Sequence, residues 1–142
     1  MNQGLSALDG SRWRGDAELW LDADTDEATM SVCTLSVQGS RVSYTWRYEG
    51  EPQTGSLTVR EGSVGFEDSF HSATEMACAP REGSWALMDV TGTYGPPEGP
   101  LWGWRLVLAM RPSGELVLLM DNIGPWGEEM RAVRMVLKRQ KA

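Results

Sequence analysis

The chain has 142 residues, of which 41% are hydrophobic and 23% charged, and its formal net charge at pH 7 is −7. This length and composition are those of one globular domain, so we expect residues 1–142 to form a single domain. The acidic balance argues against binding to nucleic acid or to an anionic membrane surface. No apolar run approaches the ~20 residues of a membrane-spanning helix, and residues 1–20 lack the pattern of a signal peptide, so we expect no membrane association.

The predicted elements begin with one or two helical turns in "NQGLSALDGS" and continue as strands. In "SRVSYTWRYEG", Val42, Tyr44 and Trp46 lie on one face and alternate with polar residues, which indicates a strand with one buried face. Short turn signals such as "QGS" and "RPSG" recur between such segments. We predict about ten strands: 13–21, 27–37, 40–49, 54–60, 63–70, 73–79, 84–94, 101–110, 115–122 and 129–139.

A meander of this length removes its edge strands most simply by closing on itself. The predicted fold class is therefore all-β, a single antiparallel up-and-down β-barrel of about ten strands with a short N-terminal helical turn. The later strands 101–110 and 115–122 carry apolar residues on both faces, which predicts that a second copy of the chain covers one of them in a homodimer.

The opening of the first strand, "LDGSRWRG" with Gly10 and Trp13, resembles the start of calycin-like β-barrels. That superfamily includes lipocalins, fatty-acid-binding proteins, nitrobindin-like proteins and several uncharacterised families, one of which we expect this chain to represent. The usual form is Gly-x-Trp, whereas this chain has one extra residue between Gly10 and Trp13. The resemblance implies that Trp13 closes the base of the barrel beneath an arginine of the last strand, Arg131 or Arg134.

Metal and cofactor chemistry finds little support in the sequence. His71 is the only histidine and the two cysteines, Cys33 and Cys78, lie far apart in sequence, which argues against the usual zinc clusters. Haem-binding members of the superfamily need a histidine on a late strand, and His71 lies midway along the chain. We expect no metal and no cofactor. Two cysteines are also too few for a disulfide framework, so we expect free thiols and a cytoplasmic protein, with one disulfide as the alternative.

The most suggestive polar stretch is "GFEDSFHSATEM". Asp68 shares the parity of Phe66 and is expected to point into the barrel, whereas His71 has the opposite parity unless the strand bends near Ser69. One interpretation makes Asp68 and His71 an acid/base pair, weak candidates for catalysis. The other makes Asp68 the cap of a strand end and His71 a surface residue.

Arg131 is the second charged candidate for the interior, because it shares the parity of Val133 and Leu137. An inward guanidinium would bind a carboxylate or a phosphate well. The arginines of fatty-acid-binding barrels bind the carboxylates of their ligands in this way. We expect Asp68 and Arg131 to point into the barrel and to be linked directly or through one polar group, because either charge alone would be costly to bury. A single β-bulge would reverse this orientation.

The predicted function is binding of one small, largely apolar molecule, either neutral or anionic, inside the barrel. The partner would be a small hydrophobic or amphipathic ligand. One alternative is a cofactor-free isomerase, cyclase or lyase that uses Asp68, His71 and a tyrosine. Another is an interaction or dimerisation module with a packed interior, in which the same aromatic residues are plain core. The predicted ligand-binding residues are Tyr44, Tyr48, Asp68, His71, Trp104 and Arg131.

Overall fold

The computed structural model describes residues 2–21, 27–96 and 98–141. A helix of five residues, α1 (Asn2–Ser6), precedes the strands, and no helix in these ranges is long and apolar enough to cross a membrane. The strands are β1 (Arg12–Leu19), β2 (Thr29–Gln38), β3 (Arg41–Tyr48), β4 (Glu51–Arg60), β5 (Ser63–Asp68), β6 (Ser72–Pro80), β7 (Met88–Tyr94), β8 (Trp102–Met110), β9 (Leu116–Ile123) and β10 (Glu129–Arg139).

Each strand pairs antiparallel with its neighbours in sequence, and β1 pairs with β10, so the sheet closes into one barrel. The closing register joins Trp13 to Arg139 and Leu19 to Val133. The predicted fold class, the strand number and the antiparallel order are confirmed. A closed ten-stranded antiparallel barrel is consistent with a calycin-like fold.

Strand alternation builds the core, since every second residue of each strand points inward. The middle of the barrel is filled by apolar side chains from all ten strands, each at most 2% exposed: Ala17, Leu35, Val42, Leu57, Phe66, Cys78, Val90, Leu106, Leu118 and Met135. Burial of a large apolar side chain stabilises the fold by roughly 1.5–3 kcal/mol. The barrel is therefore held by a packed interior.

The two ends of the barrel differ because successive hairpins lie at opposite ends of an up-and-down barrel. One end is covered by α1 and the turn that follows it, which bury Leu5 and Leu8 beside Trp13. We call this the helix-capped end. The hairpins β1–β2, β3–β4, β5–β6, β7–β8 and β9–β10 lie at the other end.

Trp13 is buried at the helix-capped end, but the arginine expected above it is a different one. The guanidinium carbon of Arg139 lies 5.8 Å from the centre of the Trp13 ring. Arg131 and Arg134 lie over Trp20 instead, at 4.4 and 5.8 Å. The β1–β10 register explains this correction, because it places Trp13 opposite Arg139 and the end of β1 opposite the start of β10.

Gly15, the last residue of the opening motif, allows β1 and β10 to approach closely. A Cβ at this position would overlap the carbonyl oxygen of Val136 and lie 2.8 Å from Cα of Leu137. Barrel closure therefore depends on a glycine two residues after Trp13, because any side chain there would push the two closing strands apart.

Five predicted strand boundaries differ from the structure by two or more residues: β1 ends at Leu19 and not at residue 21, β2 begins at Thr29 and not at residue 27, and the other three belong to β4, β5 and β7. Glu49 and Gly50 have φ of 50° and 80° and form a two-residue turn, so β4 begins at Glu51 and not at residue 54. The strand predicted for 84–94 begins only at Met88, and that predicted for 63–70 ends at Asp68. The homodimer predicted from β8 and β9 stays a prediction.

Candidate functional site

Asp68 ends β5 and is the centre of a buried hydrogen-bond network. Its side chain, 1% exposed, accepts four hydrogen bonds. Oδ1 accepts them from the backbone N–H groups of Phe70 (2.8 Å) and His71 (2.9 Å). Oδ2 accepts from the Tyr44 hydroxyl (2.5 Å) and from Nε1 of Trp46 (3.3 Å). This carboxylate therefore joins β3 to the β5–β6 turn.

Gly55 makes the Tyr44–Asp68 contact possible. It pairs with Tyr44 on one side and with Asp68 on the other, and a Cβ there would overlap the Tyr44 ring. The phenol lies across β4 through the space that the glycine leaves. Burial and the negative charge of Asp68 raise the pKa of Tyr44 well above its usual value, so Tyr44 remains a hydrogen-bond donor.

His71 packs among aromatic rings at this end of the barrel. Its ring centre lies 5.8 Å from that of Trp46, nearly parallel, and 5.0 Å from those of Trp104 and Phe70. Burial lowers the pKa of His71, although the charge of Asp68 opposes this effect. We call the part of the barrel formed by Trp46, Phe70, His71 and Trp104 the aromatic end.

Two buried nitrogen atoms at the aromatic end lack a hydrogen-bond partner among the described residues: Nε2 of His71 and Nε1 of Trp104. The rings that carry them are neighbours, and Trp104 is only 4% exposed. A buried polar atom without a partner costs about 1–3 kcal/mol, and most native structures supply a protein group, a water or a ligand instead. This pair of atoms is the strongest indication of a binding site in the barrel.

The rim around the aromatic end is apolar. Large hydrophobic side chains are exposed in or beside its hairpins: Leu21, Met30, Phe70, Tyr94, Leu101 and Trp126. Exposed apolar side chains that gather in one area are typical of a ligand portal or an interaction surface. We call these six residues the apolar rim.

The structure brings together five of the six residues predicted to bind a ligand: Tyr44, Tyr48, Asp68, His71 and Trp104. Tyr48 contacts the group through Phe70, with ring centres 5.0 Å apart. Arg131 does not point inward as predicted; its side chain is exposed and lies over Trp20. A register irregularity between Arg131 and Val133 on β10, a β-bulge, changes which residues face the interior. The predicted link between Asp68 and Arg131 is therefore wrong, since Asp68 bonds to Tyr44, Trp46 and the turn.

Two residues of the aromatic end, Trp46 and Phe70, were not among the predicted site residues. Trp46 shares the inward face of β3 with Tyr44 and Tyr48, so the alternation pattern could have identified it. Phe70 could not be placed from sequence, because its position depends on the turn that Asp68 stabilises.

Asp68 and the imidazole of His71 do not form a hydrogen-bonded pair. Asp68 already accepts four hydrogen bonds, and its contact with His71 is to the backbone N–H and not to the imidazole. Within the described ranges, no group of three or more histidine, cysteine, aspartate or glutamate side chains could hold a metal ion. The chain matches no protein-family model and no curated protein at a significant level of sequence similarity.

The lowered pKa of His71 predicts how stability depends on pH. The folded state binds fewer protons than the unfolded chain, whose histidine titrates near pH 6.5. The free energy of unfolding should therefore be highest above that value, fall as the pH drops through it, and level off below the folded pKa. Because the chain has one histidine, His71→Gln should flatten the profile between about pH 5 and pH 7. Urea unfolding at a series of pH values measures this, and parallel profiles for the two proteins would contradict it.

Proposed function

We propose that this protein is a calycin-like barrel that binds a small, largely apolar molecule at the aromatic end. The observation that carries the proposal is the adjacent pair of buried nitrogen atoms on His71 and Trp104 that lack a protein partner. An indole N–H can only donate a hydrogen bond, whereas a neutral imidazole nitrogen donates or accepts. One hydroxyl oxygen of a ligand would satisfy both nitrogen atoms.

The surroundings of these nitrogen atoms support an apolar ligand body. The rings of Trp46, Phe70 and Trp104 surround His71, and their aromatic surface suits contact with an apolar molecule. The apolar rim lies at the same end and offers a path from solvent. Phe70, which is 38% exposed, lies on this path, so a change of its rotamer would admit the ligand. Arg131 is exposed on the first residues of β10, at this end, where it would meet an anionic group that projects from the mouth.

The proposal places the ligand at one end of the barrel and not in its middle. The central residues from all ten strands are almost completely buried against one another. The two nitrogen atoms without a protein partner, on His71 and Trp104, lie at one end of this packed interior, which is why we place the ligand there. A packed middle is also what an interaction module would have, so ligand retention distinguishes the two functions.

Native mass spectrometry of the purified protein, compared with the denatured mass, should reveal a retained molecule of small mass. The molecule can then be extracted, identified and titrated back while tryptophan fluorescence is followed. We expect Trp104→Phe, which keeps an aromatic ring but lacks the N–H, to weaken binding by about tenfold, since one hydrogen bond in a buried site is worth roughly 1–1.5 kcal/mol.

Trp85→Phe is the matched control, because Trp85 is fully exposed in the β6–β7 connection, at the helix-capped end. It should leave the affinity unchanged. Equal affinities for the wild type and Trp104→Phe would contradict the proposed site, and a protein that retains and binds nothing would favour the interaction module.

The cysteines support a cytoplasmic location within the same proposal. Cys33 and Cys78 are both free thiols buried in the barrel. Burial raises the pKa of Cys33 to about 12, with the charge of Asp16 adding to the effect, and raises that of Cys78 to about 11. Thiols held in this form are inert and suit a reducing compartment, where disulfides are rare.

A further inference from the structure

A groove of about 880 Å³ lies on the outer face of β1–β5. The rings of the aromatic end, in contrast, face the interior of the barrel. Short hydroxylated residues that point outward from β2, β3 and β4 form most of the floor of the groove. The longer side chains of β1 and β5 form its sides. We call this feature the hydroxyl groove; the floor residues are Thr34, Ser36, Ser43, Thr45, Thr54 and Ser56.

The strand register arranges these hydroxyls in rows. Ser43 pairs with Ser36 on one side and with Ser56 on the other, so three serines lie side by side on adjacent strands. Arg12 follows Ser36 at one end of this row, and Glu67 follows Ser56 at the other. With strands about 4.8 Å apart, the row extends for roughly 19 Å.

The serine row has hydrogen-bonding capacity that the described part of the protein does not use. Thr34 and Thr45 bond to each other through their hydroxyls at 2.5 Å. No side-chain hydrogen bond is made by Ser36, Ser43 or Ser56 within the described ranges. Ser56 is only 8% exposed yet lines the groove. Its hydroxyl has no side-chain partner in the described residues and is open to the groove, so it is available to a polar ligand.

The arginines of the groove also lack partners in the described residues. Arg12, Arg14 and Arg41 make no ion pair there, and Lys141 lies beside them. Elsewhere, five arginines do make ion pairs with carboxylates: Arg60, Arg81, Arg105, Arg111 and Arg134. In a chain of net charge −7, the groove is lined by Arg12, Arg14, Arg41 and Lys141 against the two carboxylates of Glu67 and Asp68, so its local charge is positive and favours an anion.

The shape and chemistry of the groove exclude other kinds of ligand. Trp13 and Tyr44 border it, but both are at most 2% exposed and turn their rings into the barrel. Nucleic-acid bases and apolar molecules need exposed aromatic or aliphatic surface, which the floor does not offer. Serine hydroxyls both donate and accept hydrogen bonds, as the hydroxyls of a sugar do, and guanidinium groups bind phosphate, sulfate or carboxylate.

We propose that the hydroxyl groove is a second binding site, for a small anionic carbohydrate. The sugar hydroxyls bind the serine row, and the phosphate, sulfate or carboxylate group binds Arg12, Arg14 and Arg41. The groove volume is within the range of about 300–1,000 Å³ found for small-molecule sites. This site lies on the outer face of the barrel and does not require the function proposed for the aromatic end.

The test is an NMR titration of the ¹⁵N-labelled full-length chain. The probes are glucose 6-phosphate, glucose 6-sulfate and glucuronate, with glucose and inorganic phosphate as reference compounds. We expect backbone amide shifts in β2, β3 and β4, and an affinity for at least one anionic sugar about tenfold higher than for either reference compound. The three anionic probes distinguish which anion the arginines prefer.

Surface variants separate the two parts of the proposed site. Arg14→Gln and Arg41→Gln should each weaken binding of the anionic sugar about fivefold. Ser43→Ala should weaken binding of the sugar but not of inorganic phosphate. Arg111→Gln, which removes the same charge from the β8–β9 turn, should have no effect. Equal affinity for the anionic sugar and inorganic phosphate, no effect of Ser43→Ala, or no shifts in these strands would each overturn the proposal.

Discussion

Replacement of Trp13 by alanine is expected to lower the free energy of unfolding by about 3–5 kcal/mol, the range for large aromatic residues in a packed core. The indole is 2% exposed, and its N–H donates to the Ser11 hydroxyl at 2.8 Å. Alanine would remove the apolar ring and leave a cavity under α1, between Leu5 and Leu8. The short helix cannot collapse into that space without losing its own contacts, so little of the cost is recovered.

Equilibrium unfolding in urea, followed by far-UV circular dichroism, measures this loss. Trp85→Ala is the matched control because it removes the same ring from a fully exposed position. Its effect should stay within about 0.5 kcal/mol, as for other surface substitutions. If the two variants have the same midpoint, Trp13 does not stabilise the helix-capped end.

Asp68→Ala should cost a similar amount, about 3–5 kcal/mol, although it removes few atoms. The substitution leaves the Tyr44 hydroxyl, the Trp46 N–H and two backbone N–H groups without their acceptor. Each unsatisfied buried donor costs about 1–3 kcal/mol, and local relaxation recovers part of the sum. The β5–β6 turn should loosen as well, because it loses both hydrogen bonds to Oδ1.

Two further variants separate the contribution of one hydrogen bond from the loss of a carboxylate. The same urea unfolding assay measures both. Tyr44→Phe removes a single hydrogen bond to Asp68 and should cost about 1–2 kcal/mol. Asp16→Ala, an exposed aspartate on the outer face of β1, is the control for loss of a carboxylate and should have little effect. A near-neutral Asp68→Ala variant would show that the network does not hold the aromatic end together.

The strand pattern was predictable because each strand of the barrel has one face in solvent and one face in the apolar interior. Val42, Tyr44 and Trp46 alternate with polar residues, and each of them is buried in the barrel. Turn chemistry was harder to interpret. "EGEPQTG" contains glycine and proline throughout, but only Glu49 and Gly50 form the turn, and Pro52 lies in β4 opposite Arg47.

The site residues show where sequence parity stops being informative. Asp68 follows the simple alternation of β5 and is buried as expected. His71 does not, because Asp68 Oδ1 accepts hydrogen bonds from the N–H groups of Phe70 and His71, and this turn brings the imidazole back towards the barrel. The orientation of Arg131 was predicted wrongly because of a β-bulge between Arg131 and Val133, and no residue type in this segment indicates a bulge. Irregularities of one residue are decided by tertiary contacts, which a single sequence does not contain.

The pairing of β1 with β10 has a consequence for the synthesis of the protein. On the ribosome, β1 emerges before the other strands, and all eight strands β2 to β9 must follow before its second neighbour, β10, appears. During that time the growing sheet has two open edges, which invite pairing with other nascent chains. Because the closing contact joins residues so far apart in sequence, barrel formation should also be slow. The newly made chain is thus most vulnerable to aggregation until β10 pairs with β1.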